Sequence, residues 1–265
     1  MEIFQYDFMQ RAFIAGIIIA IIASVGGSFV VLKRYSLITE TLAHSALVGV
    51  AIGLVAGVSP IAVAVVVALV SAWSIEYLRS YFNIYSDSIL AIFLSGSLAL
   101  AIVIVSLAGA FNTSLFSYLF GSILSVSTEE LWIMGGAGTV ALLLLLGFYK
   151  EFYFIAFDEE VAQVSGIRVT FFNFLLITIV AVIIALSIRV VGTLLIGALM
   201  VIPTVSALQY KKGFGATIWL ALLFSLSAVI VGMLLSYYFA LPSGAVIVLV
   251  ILLIFMISLL VNRHS

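Results

Sequence analysis

The sequence is poor in several residue types that carry chemistry in soluble proteins. None of its 265 residues is a cysteine, so the chain can form neither a disulfide nor a thiolate metal site. Charged residues make up only 8% of the chain, whereas they make up about 25% of an ordinary soluble domain. The formal net charge is −1 and the basic residues are scattered, which leaves neither a basic face for nucleic acid nor a polybasic lipid anchor. We therefore expect no nucleic-acid partner.

Two motifs of nucleotide and metal chemistry are also missing. The sequence has no Gly-x-x-x-x-Gly-Lys-[Ser/Thr] loop, so it lacks the usual backbone cradle for the phosphates of ATP. It has no His-Glu-x-x-His either, so it lacks the ligands and the base of a common class of zinc proteases. We expect no intrinsic cofactor and no catalytic residues, and we predict that the chain is not an enzyme.

What the sequence has in excess is apolar residues, which make up 66% of the chain. The hydrocarbon core of a bilayer is about 30 Å thick, so about 20 apolar residues form one helical crossing. The sequence predicts an all-α, polytopic integral membrane bundle of about eight or nine transmembrane helices, in a single domain over residues 1–265. The candidate spans are Ala12–Leu32, Leu42–Val58, Ile61–Leu78, Ile89–Phe111, Leu131–Phe148, Val169–Ser187, Gly192–Leu208, Ala216–Phe239 and Ala245–Val261.

The distribution of lysine and arginine predicts the orientation of these spans, because cytoplasmic loops collect basic residues. Nine alternating crossings leave only Arg11 and Arg189 on the outer side. The side that we predict to be cytoplasmic receives Lys33, Arg34, Arg79, Lys150, Arg168, Lys211, Lys212 and Arg263. The N-terminus is then predicted outside the cell membrane and the C-terminus in the cytoplasm. The Gly192–Leu208 run is the weakest span, because it is short and contains Pro203, and broken helices need protein around them.

Glu40 and His44 are the first candidate functional residues, at the start of the second span. Residues four apart on a helix project from one face, so these two side chains could bind one cation together. A carboxylate oxygen with an imidazole nitrogen suits zinc or manganese, although two ligands are too few for a closed structural site. A site that releases its ion again does not need a closed cage. The alternative is that Glu40 lies at the membrane interface and His44 forms a hydrogen bond inside the bundle.

A second candidate is the segment 150–168, in the longest connection on the predicted cytoplasmic side. Asp158 is predicted to cap a short helix, whose positive N-terminal dipole favours the two glutamates that follow it, and Gly166 is predicted to end that helix. A protruding helix of this kind either docks on a partner or is a solvated loop helix without one.

The third candidate lies between two spans on the predicted outer side, at Ser114–Leu124. Its aromatic residues predict a helix that lies along the membrane interface rather than crossing it. The alternative is a set of interfacial aromatic residues with no further role. Glu129 and Glu130 come next, and they either meet a partner protein or cap the following span.

Together these stretches resemble the permease subunits of the ABC-type zinc/manganese/iron importer family, from about Val31 to Pro203. The family has an acidic residue followed four positions later by histidine in its second span, and Glu40 and His44 match this motif. Glu40 is one methylene longer than the aspartate that is usual there. Three further motifs match in the same order, at Tyr118–Leu124, Asp158–Gly166 and Gly192–Pro203.

The resemblance implies a fold similar to type II ABC importers and a homodimer with its translocation path on the two-fold axis. It also implies two cytoplasmic ATP-binding subunits and an extracytoplasmic solute-binding protein. The transported substrate is then a zinc, manganese or iron ion, and Glu40 and His44 are its ligands. The residues that resemble the coupling helix to the ATPase are Asp158, Glu159, Glu160, Val161, Ala162 and Gly166. Those that resemble the helix beside the outer gate are Tyr118, Phe120 and Gly121.

The residues by themselves leave three other functions open. An ATP-independent secondary metal-ion transporter or channel has the same composition and would work without an ATPase. An intramembrane enzyme would need a nucleophile near His44, and the adjacent Ser45 points away from it on a helix. A scaffold for other membrane proteins would show no dependence on metal.

Overall fold

The computed structural model describes residues 7–82, 84–107, 118–119, 121 and 126–262. Within these ranges the regular structure is helical and contains no strand. The helices are α1 (Asp7–Leu32), α2 (Leu37–Ala56), α3 (Pro60–Phe82), α4 (Ser86–Leu107), α5 (Thr128–Gly147), α6 (Tyr149–Phe157), α7 (Glu159–Val164), α8 (Val169–Leu208), α9 (Phe214–Phe239) and α10 (Ser243–Asn262).

Eight stretches of these helices are long and apolar enough to cross a membrane. They are α1 to α5, the first part of α8 (Val169–Thr193), α9 and α10. The first part of α8 lies mostly buried with α1 and α2, whereas α3, α4 and α5 each bury less than a third of their most apolar stretch. The peripheral helices therefore expose apolar side chains, as expected where lipid is the solvent. The predicted all-α polytopic membrane bundle is confirmed.

The ninth predicted span is the second part of α8. The backbone leaves the helical conformation at Gly192, where φ is 80° and ψ is 166°, a region that glycine adopts without the steric penalty of a Cβ atom. The apolar helix that follows, Leu195–Leu208, is shorter than the eight full-length spans and contains Pro203. This agrees with the prediction that the run is the weakest of the nine.

Contacts of α1 show that the chain reverses its direction at Gly192. Lys33, just after α1, donates a hydrogen bond to Asn173 near the start of α8. Ser28 in α1 shares a hydrogen bond of 3.3 Å with Thr204 in the second part of α8. A straight helix would separate residues 173 and 204 by about 46 Å, whereas residues 28 and 33 are about 8 Å apart along α1. The second part of α8 must therefore run back along the first.

The bundle has two ends, which we name by a basic residue at each. The Lys33 end holds the ion pair of Arg79 with Glu159 and the ring contact of Tyr149 with Phe214. The Arg189 end holds an ion pair of Arg189 with Glu130. Lys33 and Arg79 thus lie at one end of the bundle and Arg189 at the other.

The second part of α8 lies in direct backbone contact with α1. A Cβ atom built on Gly27 would lie 1.8 Å from the carbonyl oxygen of Met200. Such a distance is far inside van der Waals contact, so no side chain larger than hydrogen fits at this position. Close approach through small residues is how membrane helices gain dispersion energy where the hydrophobic effect cannot drive their association. Gly27 therefore fixes the distance between α1 and the second part of α8.

We predict that Gly27→Ala destabilises the folded protein by about 1–3 kcal/mol or more, because the methyl group forces the two helices apart. The matched control is Gly136→Ala in α5, where a Cβ atom would meet nothing within 4 Å. The measurement is the melting temperature of each purified variant in one detergent. Equal melting temperatures for the two variants would contradict the close helix contact.

Candidate functional site

Glu40 and His44 lie on the same face of α2, within its first two turns. The Nε2 atom of His44 is 3.3 Å from Oε1 of Glu40. The side chains of His44 and Glu40 are 13% and 34% exposed, so the pair is sheltered by protein but open on one side. The Nδ1 atom of His44 is buried and has no hydrogen-bond partner in the part of the chain that the structure describes. The structure therefore brings the predicted pair together and leaves Nδ1 of the imidazole without a hydrogen bond.

The pair lies within the depth of the bundle rather than at its end. Ile38, two residues before Glu40, lines a small cavity that extends from Lys33 at the end of the bundle to Val180 of α8. Val180 is about 16 Å along α8 from its start at that end. Glu40 itself faces Gly197, between the break in α8 and the end of that helix, and this contact places its carboxylate inside the bundle. An ionisable pair at such a depth is unusual and typically marks a pathway through a membrane protein.

Polar contacts behind the pair fix the rotation of α2 against α4. The hydroxyl of Ser45 donates to the carbonyl oxygen of Thr41 at 2.9 Å and lies 2.9 Å from the hydroxyl of Ser97 on α4. Thr41 in turn lies 3.3 Å from the carbonyl oxygen of Leu90. Ser45 therefore faces α4 and is not placed to act as a nucleophile beside the imidazole of His44.

One chain supplies two ligand side chains at this place. Among the residues described by the structure, no group of three or more His, Asp or Glu side chains is placed to hold a metal ion. Within the described residues, an ion bound by Glu40 and His44 would therefore lack a third His, Asp or Glu ligand, whereas a closed transition-metal site has four ligands.

The predicted coupling segment, residues 150–168, contains a short capped helix, α7, as expected from its sequence. The carboxylate of Asp158 accepts a hydrogen bond of 3.0 Å from the backbone N–H of Val161, and Gly166 just beyond the helix has a positive φ of 87°. Ala162 is buried in a small cluster with Ile155 and Val169. The exposed residues of the segment include apolar, acidic, polar and basic side chains: Phe157, Asp158, Glu160, Val161, Val164, Lys150, Gln163 and Arg168. The short helix itself thus presents Glu160, Val161 and Val164 to the outside, while Ala162 holds it to the bundle.

Glu159 points in the opposite direction, into a network of charges that sequence reasoning missed. Arg79 donates to Glu76 at 2.7 Å and to Glu159 at 3.1 Å. Asn173 donates to Glu159 at 2.7 Å and accepts from Lys33. Glu76 is only 1% exposed. A Glu-x-x-Arg pair at the end of the apolar run of α3 was the available signal, because such residues share a helix face.

This network shifts the pKa of two groups outside the membrane-spanning helices. Burial lowers the pKa of Lys33 to about 8, and the charge of Arg79 acts in the same direction. Burial would raise the pKa of Glu159, but the hydrogen bond from Arg79 and the charge of Lys33 outweigh it and lower that pKa below its usual value. Glu159 therefore stays ionised and holds α7 to α3 and α8.

At the Arg189 end, the predicted gate residues contact the break in α8. Tyr118 is buried, and the carbonyl oxygen of its neighbour Leu119 accepts a hydrogen bond of 3.3 Å from Thr193. A Cβ atom on Gly121 would lie 2.3 Å from the carbonyl carbon of Val191, so only glycine fits there. Phe120 lies outside the described residues.

The start of α5 lies at the same end and shows what its glutamates do. Ser127 and Glu130 form a capping box: each side chain accepts a hydrogen bond from the backbone N–H of the other residue. Glu130 also pairs with Arg189, while Glu129 is exposed. Capping therefore accounts for Glu130, as one of the two sequence interpretations proposed.

We predict that Arg79→Met destabilises the fold by about 3–5 kcal/mol, because it leaves the buried carboxylate of Glu76 without a partner of opposite charge. Glu159→Gln is the matched control: its side chain is 40% exposed, and loss of such a pair amounts to about 1 kcal/mol or less. Melting temperatures in one detergent compare the two variants. A larger loss for Glu159→Gln than for Arg79→Met would contradict this description of the network.

Known proteins resemble the chain over nearly its whole length. The model of the ABC 3 transport family matches residues 5–262. A Treponema pallidum protein named "Probable metal transport system membrane protein" is 35% identical over 259 residues, covering 98% of this chain and 97% of that protein. The "Manganese import system permease protein ScaB" of Streptococcus gordonii is 33% identical over 254 residues, covering 96% and 91%. A chain in the structure "PsaBC from Streptococcus pneumoniae in complex with Fab" matches with a TM-score of 0.86 at 32% identity, covering 97% and 92%.

Proposed function

The chain belongs to the ABC 3 transport family as a membrane permease subunit, and from this premise we propose that it forms the translocation path of an ATP-driven importer of divalent transition-metal ions. Manganese is the first candidate substrate, because relatives with similarity over most of the chain are named as manganese import permeases. Zinc and iron are the other candidates, since one carboxylate and one imidazole suit all three ions. The observation that carries the proposal is the Glu40–His44 pair.

The pair has the properties of a transient metal site. Its oxygen and nitrogen atoms are already 3.3 Å apart, so a cation needs only small side-chain movements to contact both. The partial exposure of Glu40 gives an ion a route in and out. Two protein ligands bind an ion more weakly than a closed set of four, and a weaker site is one from which the ion can leave.

A second copy of the chain would complete this site. The exposed side chains of α2 include Leu37, Ile52 and Val55 as well as part of Glu40. Two copies that meet along this face would bring two Glu40–His44 pairs to one two-fold axis, and four ligands are the usual number around a transition metal. The proposed functional unit is therefore a homodimer with the ion path between the subunits.

The Lys33 end is the proposed cytoplasmic end, because it collects most of the basic residues. This places the N-terminus outside the cell membrane and the C-terminus in the cytoplasm. It also places α7 where an ATP-binding subunit can contact it, through the exposed side chains of Glu160, Val161 and Val164. The Arg189 end then faces a solute-binding protein that delivers the ion.

We predict that His44→Ala and Glu40→Ala each reduce ATP-dependent manganese uptake at least tenfold, because each removes a ligand from a site with few. Uptake of manganese is measured in proteoliposomes that contain the permease with its ATP-binding and solute-binding partners. Ser36→Ala is the matched control, because Ser36 precedes the same helix and its side chain caps nothing.

Wild-type uptake by His44→Ala at equal protein abundance would refute the proposed role of the pair. Manganese uptake by the permease without ATP, driven by an ion gradient, would instead favour an ATP-independent transporter or channel.

For the coupling segment, we predict that Val161→Asp weakens association with the ATP-binding subunit about tenfold or more. The side chain of Val161 is 47% exposed, so the change leaves the fold intact but puts a charge into a proposed apolar contact. Co-purification of the two subunits from membranes measures the effect. Lys212→Glu, a charge change in the turn before α9, is the control, and full co-purification of Val161→Asp would contradict the assignment.

A further inference from the structure

Gly197, in the second part of α8, forms the wall that the Glu40 carboxylate packs against. A Cβ atom built on Gly197 would lie 2.8 Å from Oε2 of Glu40 and 3.6 Å from the hydroxyl oxygen of Thr39. The first distance is too short for a carbon and an oxygen that are not bonded. Any other residue at 197 would therefore push the Glu40 carboxylate out of its observed position.

The backbone of α8 at Gly197 cannot shift to relieve such a contact. Three residues further along α8, the carbonyl oxygen of Met200 fills the space where Gly27 lacks a side chain. Thr204, one turn further, shares a hydrogen bond of 3.3 Å with Ser28. The second part of α8 is therefore held against α1 on one side while Gly197 faces Glu40. A side chain added at 197 must be accommodated by the flexible end of Glu40, because the helix backbone has no room to retreat.

The two carboxylate oxygens of Glu40 have different neighbours. Oε1 faces Nε2 of His44 at 3.3 Å, whereas Oε2 is the atom nearest to Gly197. The wall at Gly197 therefore limits how far the carboxylate extends and, through the rigid geometry of the carboxylate group, where Oε1 stands relative to the imidazole. The missing side chain of Gly197 leaves the room that this carboxylate occupies.

We propose that Gly197 is a positioning residue of the metal site, which sets the reach of the Glu40 carboxylate and thereby its spacing from His44. The inference rests on the proposed function, because the spacing matters only if the pair binds an ion. The residues at positions 40 and 197 are therefore matched in size. Glutamate at 40 needs the space that glycine at 197 leaves open, whereas a shorter acidic side chain does not. An aspartate is one methylene shorter, so it would end before the wall.

The test is a double-mutant cycle on manganese binding by the full-length permease in detergent. Free Mn²⁺ is counted by its electron paramagnetic resonance signal, and the variants are Gly197→Ala, Glu40→Asp and the two together. We expect Gly197→Ala to weaken binding about tenfold when Glu40 is present, and less than about twofold in the Glu40→Asp background. Coupling of this kind between two changes reports a direct contact, and a general loss of packing at 197 would not produce it.

Two controls separate the inference from its premise. Gly136→Ala, where a Cβ atom meets nothing within 4 Å, is expected to bind Mn²⁺ like the unsubstituted protein. His44→Ala is expected to lose binding. If His44→Ala binds normally, the proposed metal site itself fails. If His44→Ala loses binding but Gly197→Ala has the same effect with either acidic residue, or no effect, the inference about Gly197 is overturned and the metal site stands.

Folding of the variants gives a second measurement. If Gly197→Ala does not fold, the clash is expected to be with Glu40, so the double variant with Glu40→Asp should recover a wild-type melting temperature. Recovery supports the inference. Failure of both variants to fold would show that the backbone around residue 197, and not Glu40, excludes the methyl group, and would overturn it.

Discussion

The backbone contact of α1 with the second part of α8 is the constraint on which the rest of the bundle depends. Where lipid surrounds the protein, the hydrophobic effect does not hold helices together, and close approach through small residues takes its place. At Gly27 the carbonyl of Met200 occupies the space of a missing side chain. This contact holds a short helix, interrupted at Gly192, inside the bundle, where its irregular backbone is shielded from lipid as such backbones must be. It also fixes the position of Gly197, against which Glu40 of α2 packs.

The ion pairs formed by arginine lie at the two ends of the bundle, and at each end one of them joins elements that lie far apart in the sequence. At the Lys33 end, Glu159 of α7 is tied to α3 through Arg79 and to α8 through Asn173. A force applied to α7 by a partner would therefore reach the transmembrane helices through charged hydrogen bonds, which are stronger than neutral ones. At the Arg189 end, the pair of Arg189 with Glu130 joins α8 to α5.

Much of the site was predictable from the sequence because its parts are local. The four-residue spacing of Glu40 and His44 puts both on one helix face in any helix, and the capping roles of Asp158 and Gly166 depend only on neighbouring residues. The charge network was not predictable in the same way. Its central partners, Arg79 and Glu159, are 80 residues apart, and no local rule pairs them. The contact of Gly197 with Glu40 escaped for the same reason.

Composition and short-range periodicity specify that lipid surrounds this protein, that its fold is helical and that Glu40 and His44 share one helix face. They also predict a weak span at Gly192–Leu208. The turn of the chain at Gly192, the contact of Gly197 with Glu40 and the inward direction of Glu159 follow from the tertiary structure alone. These features depend on which helices touch and at what depth, and that is set by packing between residues distant in the chain.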